Sequence, residues 1–374
     1  MSLTTIFILA ILILGFLITF QIAKASEYVG ILKGEKKTLE QNNRINGFLL
    51  ILFLVGGLIG VYYCHELFKG KILGDAASDH GEKIDKMLYL TVIITGAVFV
   101  LTQVLLFWFA FKYQFSEKRK VYYLPHNNTL ELIWTVVPAI FLTILVGYGL
   151  FYWFKITGDA PKDALVVEIT GKQFNWIYRY PGKDEVFGRK NFRNISDPAD
   201  NSLGLIWEDV PGLNLKADKA AQDDIVTDKL VLIKNKPVKL IIGSRDVIHD
   251  VGLPHFRMKM DAVPGTPTTM WFTPLYTTKE YRVKTNNPDF VYEIACDQMC
   301  GKGHYSMKGQ IEVVTQEEYD VWMLSQKPKY QTAVLDKNKT ETKPAGGAAT
   351  ADSTAKTAAN AAAANSLAVK KTNK

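Results

Sequence analysis

The sequence predicts membrane-spanning helices followed by an all-β domain outside the membrane. Three observations predict it. Four runs lack any charged side chain over the roughly 20 residues needed to cross a bilayer. From about Ala164 the hydrophobic pattern changes to a period of two, broken by Gly-, Pro- and Asn-rich turns. From about Thr332 the chain becomes Ala, Thr and Lys with little else. At 374 residues the chain is long enough for two or three domains. Its mean hydropathy of +0.03 averages a strongly apolar first part with an ordinary or polar remainder.

The apolar runs are Met1 to Ala23, Ile45 to Cys64, Met87 to Phe111 and Leu132 to Phe154. Each exceeds an ordinary core helix. Aromatics gather at their ends, at Tyr62, Tyr63, Trp108, Tyr152 and Trp153, where amphipathic rings settle at a membrane interface. The predicted plan is spans at 1–24, 45–64, 87–111 and 131–155, with loops at 25–44, 65–86 and 112–130. The first run also reads as a secretory signal peptide, because "AKA" at Ala23–Ala25 resembles a cleavage site. Against this, its start carries no positive charge and its apolar stretch is long. Lys24, Lys33, Lys36, Lys37 and Arg44 mark the first loop as cytoplasmic, and Lys112, Lys118, Arg119 and Lys120 mark the third. The middle loop also carries lysines (Lys69, Lys71, Lys83, Lys86), so the bias is moderate. Four spans with both termini outside satisfy it best, and everything after Phe154 then lies outside the cytoplasm.

The remainder reads as a sandwich or barrel over 160–315. "ALVVEIT", "KLVLIK", "PVKLII", "TTMWFT", "EYRVKT", "FVYEIA" and "GQIEVV" are its strand-like runs. Thr315 and Glu318 form a capping box that opens a helix over 316–331. The tail over 332–374 has too few large apolar side chains to offset its ordering entropy and is expected to be disordered.

Two of the three cysteines lie in "CDQMCGKGHYSM", residues 296–307. The third, Cys64, sits alone in an apolar run, so no disulfide framework is possible. A lasting thiol outside the cytoplasm needs a disulfide, a metal or burial. Cys296 ends a strand-like run, and Gly301 and Gly303 argue for a folded-back loop rather than a helix. Such a loop lets both sulfurs point into one small volume. Thiolate, thioether and imidazole together suit copper far better than calcium or magnesium, and Met307 stands where a weak axial ligand would. A zinc site and a Cys296–Cys300 disulfide are the alternative readings. A second histidine must come from His249 or His255, and His249 directly follows the run "PVKLIIGS". The net charge of +7 is spread over the tail and short loops. No basic patch interleaved with aromatics stands out, so nucleic acid is not an expected partner.

These residues resemble cytochrome c oxidase subunit II. "CDQMCGKGHYSM" is similar to that family's C-x-x-x-C-x-x-x-H-x-x-M loop, and "SRDVIHDVGLPHFRMKMDAVPG" to its stretch around the first histidine ligand. "HNNTLELIWTVVPAI" resembles its helix signature and "GKQFNWIYRY" its aromatic-rich strand. The resemblance covers roughly residues 120–325. It implies a cupredoxin-like Greek-key barrel carrying a dinuclear copper A centre of two copper ions. Cys296 and Cys300 would bridge the metals, His249 and His304 would cap one each, and Met307 and the Gln298 carbonyl would be weak outer ligands. The centre would take electrons from cytochrome c, or a complex bearing one, and pass them to haem in the catalytic subunit I, where oxygen is reduced and protons pumped. Subunit III and membrane lipid complete the implied surroundings, in a bacterial inner membrane with the copper domain on the periplasmic side. Glu131 would lie by the mouth of a proton channel in subunit I, although the helix dipole alone accounts for a carboxylate there.

Two positions depart from the family pattern. Gln298 stands where a glutamate usually ligates magnesium at the subunit interface, and a neutral amide is a poorer ligand. Phe174 stands where a tryptophan usually receives the electron, with Trp176 nearby. Both point to an unusual donor arrangement. Two of the apolar runs before residue 112 are extra to the usual two-helix plan, which points to a bacterial enzyme with added contacts to a partner complex. A quinol oxidase subunit II would lack the copper ligands. The copper subunit of a nitric oxide reductase and a membrane-tethered copper carrier remain the other readings of the same residues.

Overall fold

The computed structural model describes residues 3–341 apart from residues 70, 72, 73, 117 and 118. It opens with four helices long and apolar enough to cross a membrane: α1 (Leu3–Lys33), α2 (Glu35–Phe68), α3 (Asp79–Lys112) and α4 (Asn128–Ile156). Their ends correct the sequence plan. Helix continues through 25–33 and 35–44, where a loop was expected, and α3 begins eight residues before the apolar run at Met87. Charge ends a membrane-soluble stretch but not a helix, because Lys, Glu and Gln are good helix formers. Gly34 makes the break, at φ +83°, a conformation that side chains rarely adopt. Ser78 caps α3 by accepting from Gly81 N at 2.9 Å, and Asn127 caps α4 by accepting from Leu130 N at 3.0 Å. α2 and α3 pack closely at Gly47, whose missing Cβ would lie 3.1 Å from the Phe111 ring.

Ten strands follow: β1 (Leu165–Lys172), β2 (Asn175–Tyr180), β3 (Ile225–Thr227), β4 (Leu230–Ile233), β5 (Val238–Ser244), β6 (His249–Leu253), β7 (Met258–Ala262), β8 (Thr268–Phe272), β9 (Tyr292–Cys296) and β10 (Lys308–Val314). One sheet sets β2, β1, β5 and β8 side by side, and the other β4, β10, β9, β6 and β7. This is the cupredoxin-like β domain, with mixed parallel and antiparallel pairs. Val167, Ile169, Leu240, Ile242, Val251, Ile294 and Ile311 fill its core at zero exposure.

The chain divides into two compact units, Met1–Arg179 with Thr227–Leu324, and Tyr180–Val226 with Ser325–Lys374. In the second unit, 3-10 turns (Phe192–Asn194, Pro211–Leu213) and the short α5 (Ala220–Asp223) surround buried Leu203, Leu205, Ile206 and Trp207. Tyr330 lays its ring 5.9 Å from that of Trp207, and Lys329 reaches Asp200 at 2.8 Å.

Three further corrections concern elements. "EYRVKT" is not a strand but lies within α6 (Thr278–Thr285). Its alternation is overridden by a capping box: Thr277 accepts from Glu280 N, and the Glu280 carboxylate accepts from Thr277 N. The Thr315–Glu318 box does open α7 (Gln316–Ser325), which stops before residue 331. Beyond it, Gln331–Leu335 is π-helical and α8 spans Asp336–Glu341. Tail disorder was expected there, but Ala333 is buried and Tyr330 and Lys329 anchor the stretch. The rest of the expected tail lies outside the described residues.

Residues 74–78, just ahead of α3, form a strap on the β domain. Ala77 N donates to His255 O (2.8 Å), Leu275 N to Ala77 O (2.9 Å) and Ser78 Oγ to Phe256 O (2.6 Å). Asp85 and Arg257 form a two-contact ion pair at 2.9 and 3.1 Å. Trp271 Nε1 donates to Gly158 O at the end of α4 (2.9 Å).

Candidate metal centre

The register of β6 and β9 brings the first two donors together. Val251 pairs with Cys296. His249 lies two residues before Val251, so the pleat puts its ring on the same face as the Cys296 thiol. The result is His249 Nδ1 at 3.8 Å from Cys296 Sγ, with the histidine fully buried. β9 then gives way to the expected folded-back loop. Gly301, at φ +135°, allows the reversal, and a single 3-10 turn carries His304–Ser306. The turn returns Cys300 Sγ to 3.7 Å from Cys296 Sγ. His304 Nδ1 is 3.8 Å and Met307 Sδ 3.9 Å from Cys300 Sγ, while the Gln298 carbonyl oxygen is 3.1 Å from Cys296 Sγ. Each predicted donor therefore lies within 4 Å of one of the two sulfurs, and among the described residues His249, Cys296 and Cys300 form a group able to hold a metal ion. Cys296 N donates to Met307 O (3.1 Å), closing the loop on itself.

The surrounding residues orient the donors. Asp246 Oδ1 lies 2.8 Å from His249 Nε2, so a proton on Nε2 leaves the Nδ1 lone pair facing the thiols. Burial pushes the Asp246 carboxyl upward, but hydrogen bonds from His249, Gln173 N and Val247 N outweigh it and hold the group below the ordinary carboxylate range. Gln173 Nε2 donates to the Cys300 carbonyl at 2.6 Å. Sequence reading missed Asp246 and Gln173. The signal for Asp246 was a carboxylate three residues before a candidate histidine; Gln173 left none. Burial, then the neighbouring Cys296, push the Cys300 thiol up to about 11. A cation among these sulfurs would reverse that preference and draw off the protons.

The remaining candidates separate. Phe174 lies across the copper-type loop: a Cβ on Gly301 would be 3.0 Å from its ring and one on Gly303 2.5 Å. Trp176 is buried beneath, its ring 6.0 Å from that of His249. Gly171 fits against the same pair, since a Cβ there would meet His249 at 2.8 Å and Trp176 at 3.2 Å. His255 stands apart from the donors, among Tyr281, Phe290 and Tyr292. Glu131 lies in the exposed first turn of α4.

The donor set fits copper. Two sulfurs that can ionise, two imidazoles and a thioether are soft or borderline ligands, joined by one neutral carbonyl oxygen and no carboxylate. Two family models match the chain: cytochrome C oxidase subunit II, transmembrane domain, over residues 67–151, and cytochrome C oxidase subunit II, periplasmic domain, over residues 165–314. α1 and nearly all of α2 precede these matches. The alternative cytochrome c oxidase subunit 2 of Bradyrhizobium diazoefficiens is 34% identical over 246 residues, 65% of this chain and 80% of that protein. The cytochrome c oxidase subunit 2 of Cereibacter sphaeroides is 26% identical over 233 residues, 62% of this chain and 72% of that protein. Among solved structures, the periplasmic domain of subunit II of cytochrome oxidase of Bradyrhizobium japonicum matches with 27% identity and a TM-score of 0.29, over 44% of this chain and 94% of that one.

Proposed function

Because the chain belongs to the cytochrome c oxidase subunit II family, we propose that it is the electron-accepting subunit of a bacterial respiratory oxidase. Cys296, Cys300, His249 and His304, with Met307 and the Gln298 carbonyl as weaker ligands, would hold two copper ions. Bound copper supplies the one-electron couple. The chain's own residues supply the frame. Deprotonated Cys296 and Cys300 provide the shared sulfur, Asp246 fixes the His249 ring, and Gln173 ties the loop to the β1–β2 turn. Cys296, Cys300, His249 and Met307 are buried, which keeps water from the donors and limits rearrangement as charge changes. Phe174 on the loop surface and Trp176 beneath it are the aromatic positions at which electrons enter.

Electrons come from a c-type cytochrome and pass to haem in the large catalytic subunit, where oxygen reduction and proton pumping take place. The β domain faces the periplasm and the lysine-rich loop ends face the cytoplasm, as the distribution of Lys and Arg favours. Glu131, at the start of α4, lies by the mouth of the partner's proton channel. Gln298 contributes its carbonyl only, and no magnesium site is assigned.

The convergence of six donors on two neighbouring sulfurs, on a β domain beyond four apolar helices, carries this reading. The test is purification of the tagged full chain from its native membrane. A haem-bearing large subunit should accompany it, and a c-type cytochrome should reduce that haem rapidly. Cys300→Ser should abolish haem reduction. Haem reduction at the normal rate in Cys300→Ser would remove the chain from the electron path.

A further inference from the structure

The hairpin that carries His249 is anchored at its other end to α3, one of the four membrane-length helices. β6 and β7 pair from His249 with Ala262, at the copper-type site, to Leu253 with Met258, at the turn. At a strand rise of about 3.3 Å per residue, the four steps from His249 to Leu253 set the ligand about 13 Å from that turn. The turn is the 3-10 segment Pro254–Phe256 followed by Arg257. Arg257 joins three segments. Its Nε and Nη2 donate to the two carboxylate oxygens of Asp85, in the second turn of α3, at 2.9 and 3.1 Å. Nη2 also donates to Gly74 O in the strap at 2.6 Å, and Nη1 to Pro254 O in its own turn at 2.9 Å. Only 12% of the side chain is exposed.

The backbone at Arg257 is left-handed, at φ +56°. Glycine adopts that conformation freely and arginine does not, so the turn alone calls for glycine. What arginine adds there is the guanidinium and its bonds to Asp85 and Gly74. The strap is held beside it, where Tyr281 Oη donates to Asp75 O at 2.7 Å. At the other edge of the hairpin, β6 pairs with β9 through Val251 and Cys296, which ties the two ligand-bearing strands together.

We propose that Arg257 is a positioning residue for electron transfer: acting through the β6–β7 hairpin, it fixes the height and tilt of the ligand set over α3, and with it the approach to the haem of the large subunit. This rests on the electron-accepting reading above. In the transfer step one electron leaves the reduced copper site and reduces the haem, so its rate depends on how the two are placed. Reduction of the copper site by a small molecule depends only on the site itself. A residue that positions the domain therefore changes the first rate and not the second.

The test uses the oxidase purified whole from its native membrane. A photo-activated small reductant injects one electron into the copper site, and arrival of that electron at the haem is followed by absorbance. Arg257→Gly is the informative variant, because glycine suits the left-handed turn and only the side chain's bonds are lost. It should keep the paramagnetic spectrum of the copper site and the rate of copper reduction. It should speed hydrogen exchange at the Ala77 and Leu275 amides, which hold the strap, and slow copper-to-haem transfer by roughly 10-fold or more. Arg257→Lys, which keeps the cation but not the fork, should fall between. If Arg257→Gly does not assemble with the large subunit, Asp85→Asn, which keeps the Gly74 bond, decides by the same measurements. Faster strap exchange with unchanged copper-to-haem transfer overturns the proposal. An altered copper spectrum also overturns it, since the defect then lies in the site itself. A wild-type oxidase in which no electron passes from copper to haem removes the electron-accepting reading instead.

Discussion

Replacing Asp246 by Asn removes the group that fixes His249, the most deeply buried of the proposed ligands. The His249 ring is fully buried and its Nε2 has Asp246 Oδ1 at 2.8 Å. The same carboxylate accepts from Gln173 N at 2.7 Å and Val247 N at 2.8 Å, so every side of it is committed. Asn has one acceptor where Asp has two, and its NH2 must face either the His249 ring or the Gln173 N–H. One charge-assisted hydrogen bond is therefore lost, worth about 1.5–3 kcal/mol. Loss of a ligand-orienting partner of this kind costs about 10- to 100-fold in metal affinity, or about 1.4–2.8 kcal/mol. The second figure is the one that bears on copper, so Asp246→Asn should weaken copper binding by about 10- to 100-fold and leave the β domain folded. The assay is competition for copper against a chelator of known affinity, with the full chain in detergent and circular dichroism as the control for folding. A folded variant that binds copper as tightly as the wild type would refute the orienting role of Asp246.

Gly171→Ala should push a methyl group against the His249 and Trp176 rings. Overpacking of this kind costs about 1–3 kcal/mol, read as a lowered melting temperature together with weaker copper binding; an unchanged protein would mean that the rings are not wedged. Asp85→Asn should loosen the strap by leaving the largely buried Arg257 guanidinium without its ion-pair partner, at about 1–3 kcal/mol after allowance for partial exposure. The check is faster proteolysis between α2 and α3, and protection equal to wild type would count against it. Glu280 supports α6, and its bonds from Lys234 and Thr277 N hold its carboxyl below the usual range. A depressed carboxyl stabilises the fold fully above its unfolded value near 4.5 and loses that contribution as pH falls through the folded value. The gap in melting temperature between wild type and Glu280→Gln should therefore be constant at neutral pH and close on acidification. A gap that widens below that value would reverse the sign of this linkage.

The copper-type loop was legible because its information is local. Four side chains fall at steps of four, four and three, and two glycines among them forbid a helix. The spans were legible in number but not in length, since hydropathy reports the apolar slab while the helices continue through polar residues until Gly34 or a cap ends them. α6 was misread because "EYRVKT" alternates like a strand, although Thr277 and Glu280 already spelled a capping box. The strap over residues 74–78 has no periodicity, and it was not legible because the partners that hold it, Arg257, Phe256 and Tyr281, lie far along the chain. For the same reason Gln173, which reaches the Cys300 carbonyl, could not be assigned a role from sequence.

The most direct measurement is the electron paramagnetic resonance spectrum of the copper-loaded full chain, taken with its copper-to-protein ratio. Convergence of Cys296, Cys300, His249 and His304 predicts two coppers per chain and the hyperfine pattern of one unpaired electron shared equally between two copper nuclei. One copper per chain, with the pattern of an electron confined to a single nucleus, would contradict it.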